Sequence, residues 1–450
     1  MFSDVESAEA GWKASVARAN ITPETKIWMA GYGSRTEPTI GKRQDLWLKA
    51  VALEDEKGHR AIGFSSDLLG IPQSIYNNVC EELNKQYQLS RADIMLNSSH
   101  THSGPVLRGA LLDIYPLDDE QLKLIEDYSN ELEATPFVRL TGEALNALQP
   151  VTLQAGTGST DVAVNRRNNT ESEVAALRER GDELKGPVDH AVPVLAIHNS
   201  SSELIAVIFG YACHNTVMSD NYLHGDYAGY AQAAIEEAHP GTTALFYMGC
   251  GGDQNPLPRR DVKLLTVYGN KVAQAVDEVL ADQSRLKSLP AKLETSHQFV
   301  ELNLADPPSN EELTAIAEND KRGAYQQRWA KRLLSEREAG KTFITSYPLP
   351  LQAWEIGDEQ LWLTMGGEAV VDYALGFKKM FGDETWVAAY CNDVPAYIPS
   401  LRVLEEDKVR LGYEGYSSMI VYGMPAYRWA DDVEDLISKT MTKLVADVRP

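Results

Sequence analysis

Short runs of apolar, β-branched and aromatic residues recur along the chain, each stopped by turn residues. They fall at 46–54 (LWLKAVALE), 60–67 (RAIGFSSD), 92–99 (ADIMLNSS), 193–200 (PVLAIHNS), 203–212 (ELIAVIFGYA), 243–249 (TALFYMG), 361–367 (LWLTMGG) and 385–393 (TWVAAYCND). Runs of this length and composition predict strands. Those that are apolar almost throughout predict a sheet buried on both faces. Between them, 71–87, 226–240 and 259–283 carry apolar residues at helical spacing. So does 430–448, where Val433, Leu436, Met441 and Leu444 lie close to one face. Strands alternating with helices predict the α/β class, a mixed β-sheet core covered by helices. One segment departs from the pattern. From Asp306 to Lys341 the chain turns strongly charged, with Tyr325, Trp329 and Leu333 spaced four apart, which predicts a helical excursion resting one aromatic stripe on the body. The expected organisation is a single domain over residues 1–450 with that excursion at about 306–341.

Charge narrows the function. Lys plus Arg number 42 against 65 Asp plus Glu, a net charge of −23. Such a chain is repelled by phosphate backbones and anionic lipid surfaces, and it has no basic run to offset this, so no nucleic-acid partner is expected. No apolar stretch reaches the roughly 18–20 residues that span a bilayer, so no integral membrane segment is expected. The opening MFSDVESAEAGW has neither a basic start nor an apolar core. It does not read as a signal peptide, and the expected compartment is the cytoplasm rather than that of an exported mature form. Four scattered cysteines (80, 213, 250 and 391) predict buried free thiols, not a disulfide framework.

The chemistry gathers where buried strands end. Asn97-Ser98-Ser99-His100-Thr101-His102-Ser103-Gly104-Pro105 directly follows the apolar ADIML. In an extended chain residues two apart share a side, so His100 and His102 are expected to aim at one point past the strand end. Two neutral imidazoles presented this way suit a zinc ion. A polar turn pair is the plainer alternative. His214 follows the strand ELIAVIFGYAC, at the carboxyl end where open α/β sheets place their ligands. Glu368 follows LWLTMGG, where Gly366 and Gly367 leave room to turn a carboxylate inward. Asp67 and Asp253 also stand at strand ends and are weaker candidates by position alone. His59, His190, His198, His239 and His297 stand in turns, helix ends or polar stretches.

Several motifs occur in a fixed order: SSHTHSGP, the His214 strand end, His224-Gly225-Asp226-Tyr227-Ala228-Gly229-Tyr230, GGDQNP, GGE, and Asn392-Asp393 through Tyr397, Glu405-Glu406 and Tyr413-Glu414-Gly415. The series resembles the catalytic domain of the neutral/alkaline non-lysosomal ceramidase family, from about Trp12 to about Pro425, and ARANITPETKIWMAGYG resembles that family's start. The resemblance implies a neutral-ceramidase-like fold holding zinc, with His100, His214, Glu368 and Tyr397 as ligands. It implies further that His102, Arg166 and Tyr413, with Tyr397, line the reacting amide. Arg166 is followed by Arg167-Asn168-Asn169, where the family continues Ser-Pro. The family also carries a C-terminal immunoglobulin-like domain, which this chain is expected to lack.

The activity so implied is hydrolysis of a linear N-acyl bond in a small-molecule substrate by metal-activated water, with His102 carrying the proton and Tyr397 and Tyr413 donating to the oxyanion. Soluble or short-chain N-acyl compounds are expected to be preferred over long-chain ceramide in bilayers. The same zinc site acting on an ester or glycan, and an inactive metal-binding relative, are the alternatives. All the candidate ligands and proton carriers are present, which favours the enzyme.

Overall fold

The computed structural model describes residues 11–111 and 113–449. Ten residues at the start, on which the expectation of no leader rests, lie outside that range. Two sheets pack face to face with helices on their outer faces. The larger is mixed, its strands in the spatial order Thr243–Met248, Leu204–Tyr211, Ala191–Asn199, Gln149–Ser159, Lys13–Asn20, Trp47–Glu54, Arg60–Ser66, Ile94–Ser98. Its two ends are parallel pairs (243–248 with 204–211, and 60–66 with 94–98), while the middle is antiparallel. The smaller sheet runs Leu293–Asn303, Ser346–Ile356, Gln360–Met365, Trp386–Ala388. This is the mixed sheet covered by helices that the apolar pattern predicts.

Period-two alternation builds the layer between the sheets. Val51, Leu53, Ile197, Ile208 and Tyr247 from the larger sheet meet Trp354, Trp362 and Trp386 from the smaller. Fully burying a side chain of this size stabilises by about 1.5–3 kcal/mol. On the outer faces, Gln73–Tyr87 and Pro136–Asn146 cover one end of the larger sheet, Asp226–Ala238 and Lys263–Ala281 the other. The terminal helix Val433–Val448 lies on the smaller sheet through Ile437, Met441 and Leu444.

Two segments depart from the pattern. Ser346–Ile356 is an interior strand despite Pro348 and Pro350. Its neighbour Gln360–Met365 pairs only from Leu351 onward, so over 346–350 the strand is paired on one side and the missing donors are tolerated. TWVAAYCND forms a strand only over Trp386–Ala388. Beyond it Tyr390 and Asn392 take φ of 57° and 67°, and the loop is pinned where Leu96 N–H donates to Asn392 Oδ1 at 2.9 Å. The charged segment forms two helices, Asn310–Ala317 and Ala324–Glu338, the first opened by a capping box between Ser309 and Glu312. Trp329 and Leu333 bury against Leu313 and Ile420, and Trp329 Nε1 donates to Met424 O at 2.8 Å. All four cysteines are buried free thiols. Among the described residues no helix is long and apolar enough to cross a membrane.

Candidate metal centre and active site

The strand Ile94–Ser98 stops one residue short of the His-x-His pair. The pair itself is not extended. His100 takes φ 61°, a left-handed conformation that breaks the extended path of the strand. The two imidazoles nonetheless meet, Nε2 to Nε2 at 3.2 Å. They meet through a bend that continues into the Ser-Gly-Pro turn, not through the strand period. Asn97 anchors the strand end by donating to Ala389 O and accepting from Met248 N–H, both at 2.8 Å.

His214 arrives from the end of Leu204–Tyr211 and Glu368 from the turn after Gln360–Met365. Gly367 makes that turn at φ 74°. Glu368 then pairs in parallel with Tyr397 across a two-residue ladder, so both side chains are set by one backbone register. The four groups converge. Glu368 Oε2 lies 3.1 Å from His100 Nε2 and 3.0 Å from His214 Nε2, and the Tyr397 hydroxyl lies 3.0 Å from His214 Nε2. His100, His214, Glu368 and Tyr397 are all buried.

Backbone carbonyls fix both imidazoles. His100 Nδ1–H donates to Leu69 O at 2.6 Å and His214 Nδ1–H to Gly251 O at 2.7 Å. Each Nε2 therefore presents a lone pair to the carboxylate unless it binds a second proton. For His214 that proton is disfavoured. Burial, with Arg166 nearby, pushes its pKa down to about 4. Lone pairs and a carboxylate meeting at one point form a cation site, and the ligand atoms of His100, His102 and His214 lie within 4.8 Å of one another.

The remaining expected residues surround this point. His102 is half-buried, its ring 4.8 Å from that of Tyr32, and Arg35 Nη2 donates to its carbonyl at 2.8 Å. Burial, reinforced by His100 and His214, holds its pKa well below normal, so it is neutral near pH 7. Its Nδ1 is buried without a protein partner. Arg166 is held on three sides, donating to Glu414 Oε1 at 2.9 Å, Asn255 Oδ1 at 3.3 Å and the Tyr397 hydroxyl at 3.1 Å. Tyr413 is 41% exposed, its ring centroid 5.2 Å from that of Tyr397, so it stands at the mouth.

Asp67 and Asp253 stay outside the site. Asp67 accepts from Trp47 N–H at 2.9 Å. Asp253 brackets Asn165 Nδ2 and Val371 N–H, both at 3.0 Å, while its carbonyl accepts from Arg166 N–H. Both acids hold scaffold. The sequence reading missed Tyr422, whose hydroxyl donates a short hydrogen bond to Glu368 Oε1. It missed Tyr390 as well, whose ring lies 4.5 Å from that of His100. Tyr422 follows a short helix and Tyr390 lies in a pinned loop, where no periodicity marks them. Their only signal is an aromatic residue close to the Asn392-Asp393 motif and another after the Tyr413 motif.

The family described as neutral/alkaline non-lysosomal ceramidase, N-terminal, matches residues 12–250. Among relatives, the neutral ceramidase of Drosophila pseudoobscura pseudoobscura is 23% identical over 237 residues, covering 52% of this chain and 33% of its own length. Neutral ceramidase B of Dictyostelium discoideum is 26% identical over 275 residues, covering 56% and 36%. The chain thus spans about a third of the length of the curated relatives it matches. Among solved structures, neutral ceramidase from Pseudomonas aeruginosa superposes with a TM-score of 0.70 at 18% identity, over 98% of this chain and 75% of that one. A ceramidase complexed with C2 gives 0.66 at 19% identity, over 96% and 76%. At such identities the structural likeness establishes the fold.

Proposed function

Because this chain belongs to the neutral/alkaline non-lysosomal ceramidase family, we propose that it is a zinc-dependent hydrolase of linear N-acyl amides. One observation carries the proposal: His100 Nε2, His214 Nε2, Glu368 Oε2 and the Tyr397 hydroxyl converge at 3.0–3.1 Å with both imidazole tautomers fixed. A set of two imidazoles with carboxylate and phenol oxygens fits zinc. Ligands drawn from four segments far apart in sequence fit an open catalytic site better than a closed structural one, which is usually Cys-rich and local in sequence. Zinc in such a site lowers the pKa of bound water to about 7 and polarises a carbonyl oxygen.

The chain's own residues supply the rest. His102, neutral and beside the ligand cluster, accepts a proton at the start of the cycle and delivers it to the departing amine nitrogen. Tyr397 and Tyr413 donate toward the oxygen that gains charge. Arg166 holds the Tyr397 hydroxyl and orients a polar part of the substrate through its planar fork. Tyr422 and Tyr390 hold the carboxylate in place through their hydroxyls.

A second reading, with a long-chain lipid taken at an interface, is favoured by Val409 and Leu411, which are 90% and 59% exposed near Tyr413. Matched amides of increasing acyl length, assayed in detergent and in vesicles, separate the two. Rates that level off at short chains and fall on vesicles support the soluble N-acyl substrate. Rates that climb with chain length and persist on vesicles assign ceramide.

A further inference from the structure

Two cavities of different character flank the ligand cluster, each one residue removed from it, and a continuous chain of contacts joins them. Tyr422 lines the first and donates to Glu368, Glu368 meets His214, His214 meets Tyr397, and Tyr397 accepts from Arg166, which lines the second. The first cavity, of about 300 Å³, is walled by Leu69, Leu107, Leu111, Val394 and Met424. Three of its polar members satisfy one another, since Tyr347 and Gln73 Nε2 donate to Asp393 Oδ2 at 2.6 and 3.3 Å, and a fourth, Tyr422, is spent on Glu368. It therefore asks a ligand for little but apolar surface. The second, of about 580 Å³, is lined by Arg166, Asn168, Asn255, Arg259, Glu171 and Glu414 among others. Two guanidinium–carboxylate pairs stand in that wall, Arg166 with Glu414 at 2.9 Å and Arg259 with Glu171 at 2.8 Å, and an aliphatic chain placed there would take both out of water at a cost.

An amide hydrolase must lodge one substrate half on each side of the scissile bond. We infer that the substrate of this site joins one short aliphatic acyl chain, held in the Leu107 cavity, to a hydrophilic amine of the amino-acid or amino-sugar kind, held in the Asn168–Arg259 cleft. A substrate with two hydrocarbon chains satisfies only one of the two walls. The inference rests on the amide-hydrolase reading of the same site and narrows its substrate class. Cleavage is balanced: water adds to the acyl carbon, the carbon–nitrogen bond breaks, and the nitrogen takes a proton to leave as the free amine beside a carboxylate.

The test uses the whole chain loaded with zinc and four amides: N-octanoylglycine, N-octanoylglucosamine, N-octyloctanamide and the reversed amide N-octylsuccinamic acid. One or both of the hydrophilic octanoyl amides should exceed N-octyloctanamide in kcat/KM by at least about tenfold, because a site built for hydrogen bonds rejects a ligand without them. Whichever of the two is faster names the amine. Two substitutions at exposed lining positions then separate the walls. Ser74→Phe should lower the octanoyl-over-acetyl preference, and Asn168→Leu the glycine-or-glucosamine-over-octylamine preference, each by at least about threefold. A dialkyl or reversed amide cleaved as fast as the hydrophilic ones overturns the substrate assignment and leaves the amide-hydrolase reading standing. So do two preferences unmoved by the substitutions. Failure to cleave any of the four overturns both.

Discussion

Removing the His102 imidazole separates proton transfer from metal binding. The ring comes within hydrogen-bond distance of the ligand cluster at His100, at 3.2 Å between the two Nε2 atoms. Glu368 Oε2 instead faces His100 and His214 at 3.1 and 3.0 Å. His102→Ala therefore leaves two imidazoles, a carboxylate and a phenol in place, and the protein should keep its zinc. What it loses is a neutral base poised beside the reacting point. General acid–base catalysis supplies on the order of 10²–10⁴ in rate, or about 3–5 kcal/mol on the barrier. Turnover of an N-acyl amide should fall by that factor with the metal content unchanged. Steady-state kinetics paired with elemental analysis on the same preparation reads both quantities. A variant that loses zinc along with activity makes His102 a ligand, which its place among the three clustered imidazoles also allows. A variant that keeps both refutes the proton-transfer role.

Three further perturbations probe other parts of the account. Tyr422→Phe removes the hydroxyl that donates to Glu368 Oε1 and should weaken zinc binding by about 10–100-fold in chelator competition; unaltered affinity would make the contact incidental. Gly31 stands at φ +98°, where an added Cβ would fall 2.5 Å from His102 Cγ. Gly31→Ala should displace that ring and cut turnover by at least about tenfold while zinc stays bound, and undiminished turnover would count against tight positioning of His102. Away from the site, a hydrogen bond to Asp93 raises the His59 pKa from its ordinary 6.5 to about 9. The protonated pair stabilises the fold fully below about pH 6.5, and that contribution is lost as pH rises through about 9. The half-exposed pair is worth about 1 kcal/mol, so the urea-unfolding difference between wild type and His59→Gln should shrink over that window; a constant difference would refute the linkage.

The parts of the site legible in the sequence are those that terminate buried strands. His100, His214 and Glu368 each follow a run of apolar residues, and the backbone direction of the run delivers them to one place. Arg166 and Tyr397 came only through the family motifs, because Arg166 follows a strand of three residues and Tyr397 opens one of two, both too short to carry a period. The bend at His100 was not legible, since nothing in Ser-His-Thr-His distinguishes φ 61° from an extended chain. The sheet was read from its most apolar strands. Lys13–Asn20, Gln149–Ser159 and Leu293–Asn303 escaped notice because charged or polar residues alternate along them. Ser346–Ile356 escaped because its prolines argue against a strand until its one-sided pairing is known. Asp67 and Asp253 show the converse error. A strand-end carboxylate can bracket backbone N–H groups as readily as it binds a ligand.

The central claim is that the point where His100, His214, Glu368 and Tyr397 converge binds the zinc on which amide hydrolysis depends. Exhaustive chelation followed by stepwise zinc re-addition, with bound metal and N-acyl amide hydrolysis measured at every step in the wild type and in the His100→Ala/His214→Ala double variant, tests it directly. Activity in the wild type should rise in proportion to bound zinc and level off at about one ion per chain, while the double variant binds none and stays inactive. Full turnover in the chelated protein, or full metal content in the double variant, would contradict the account.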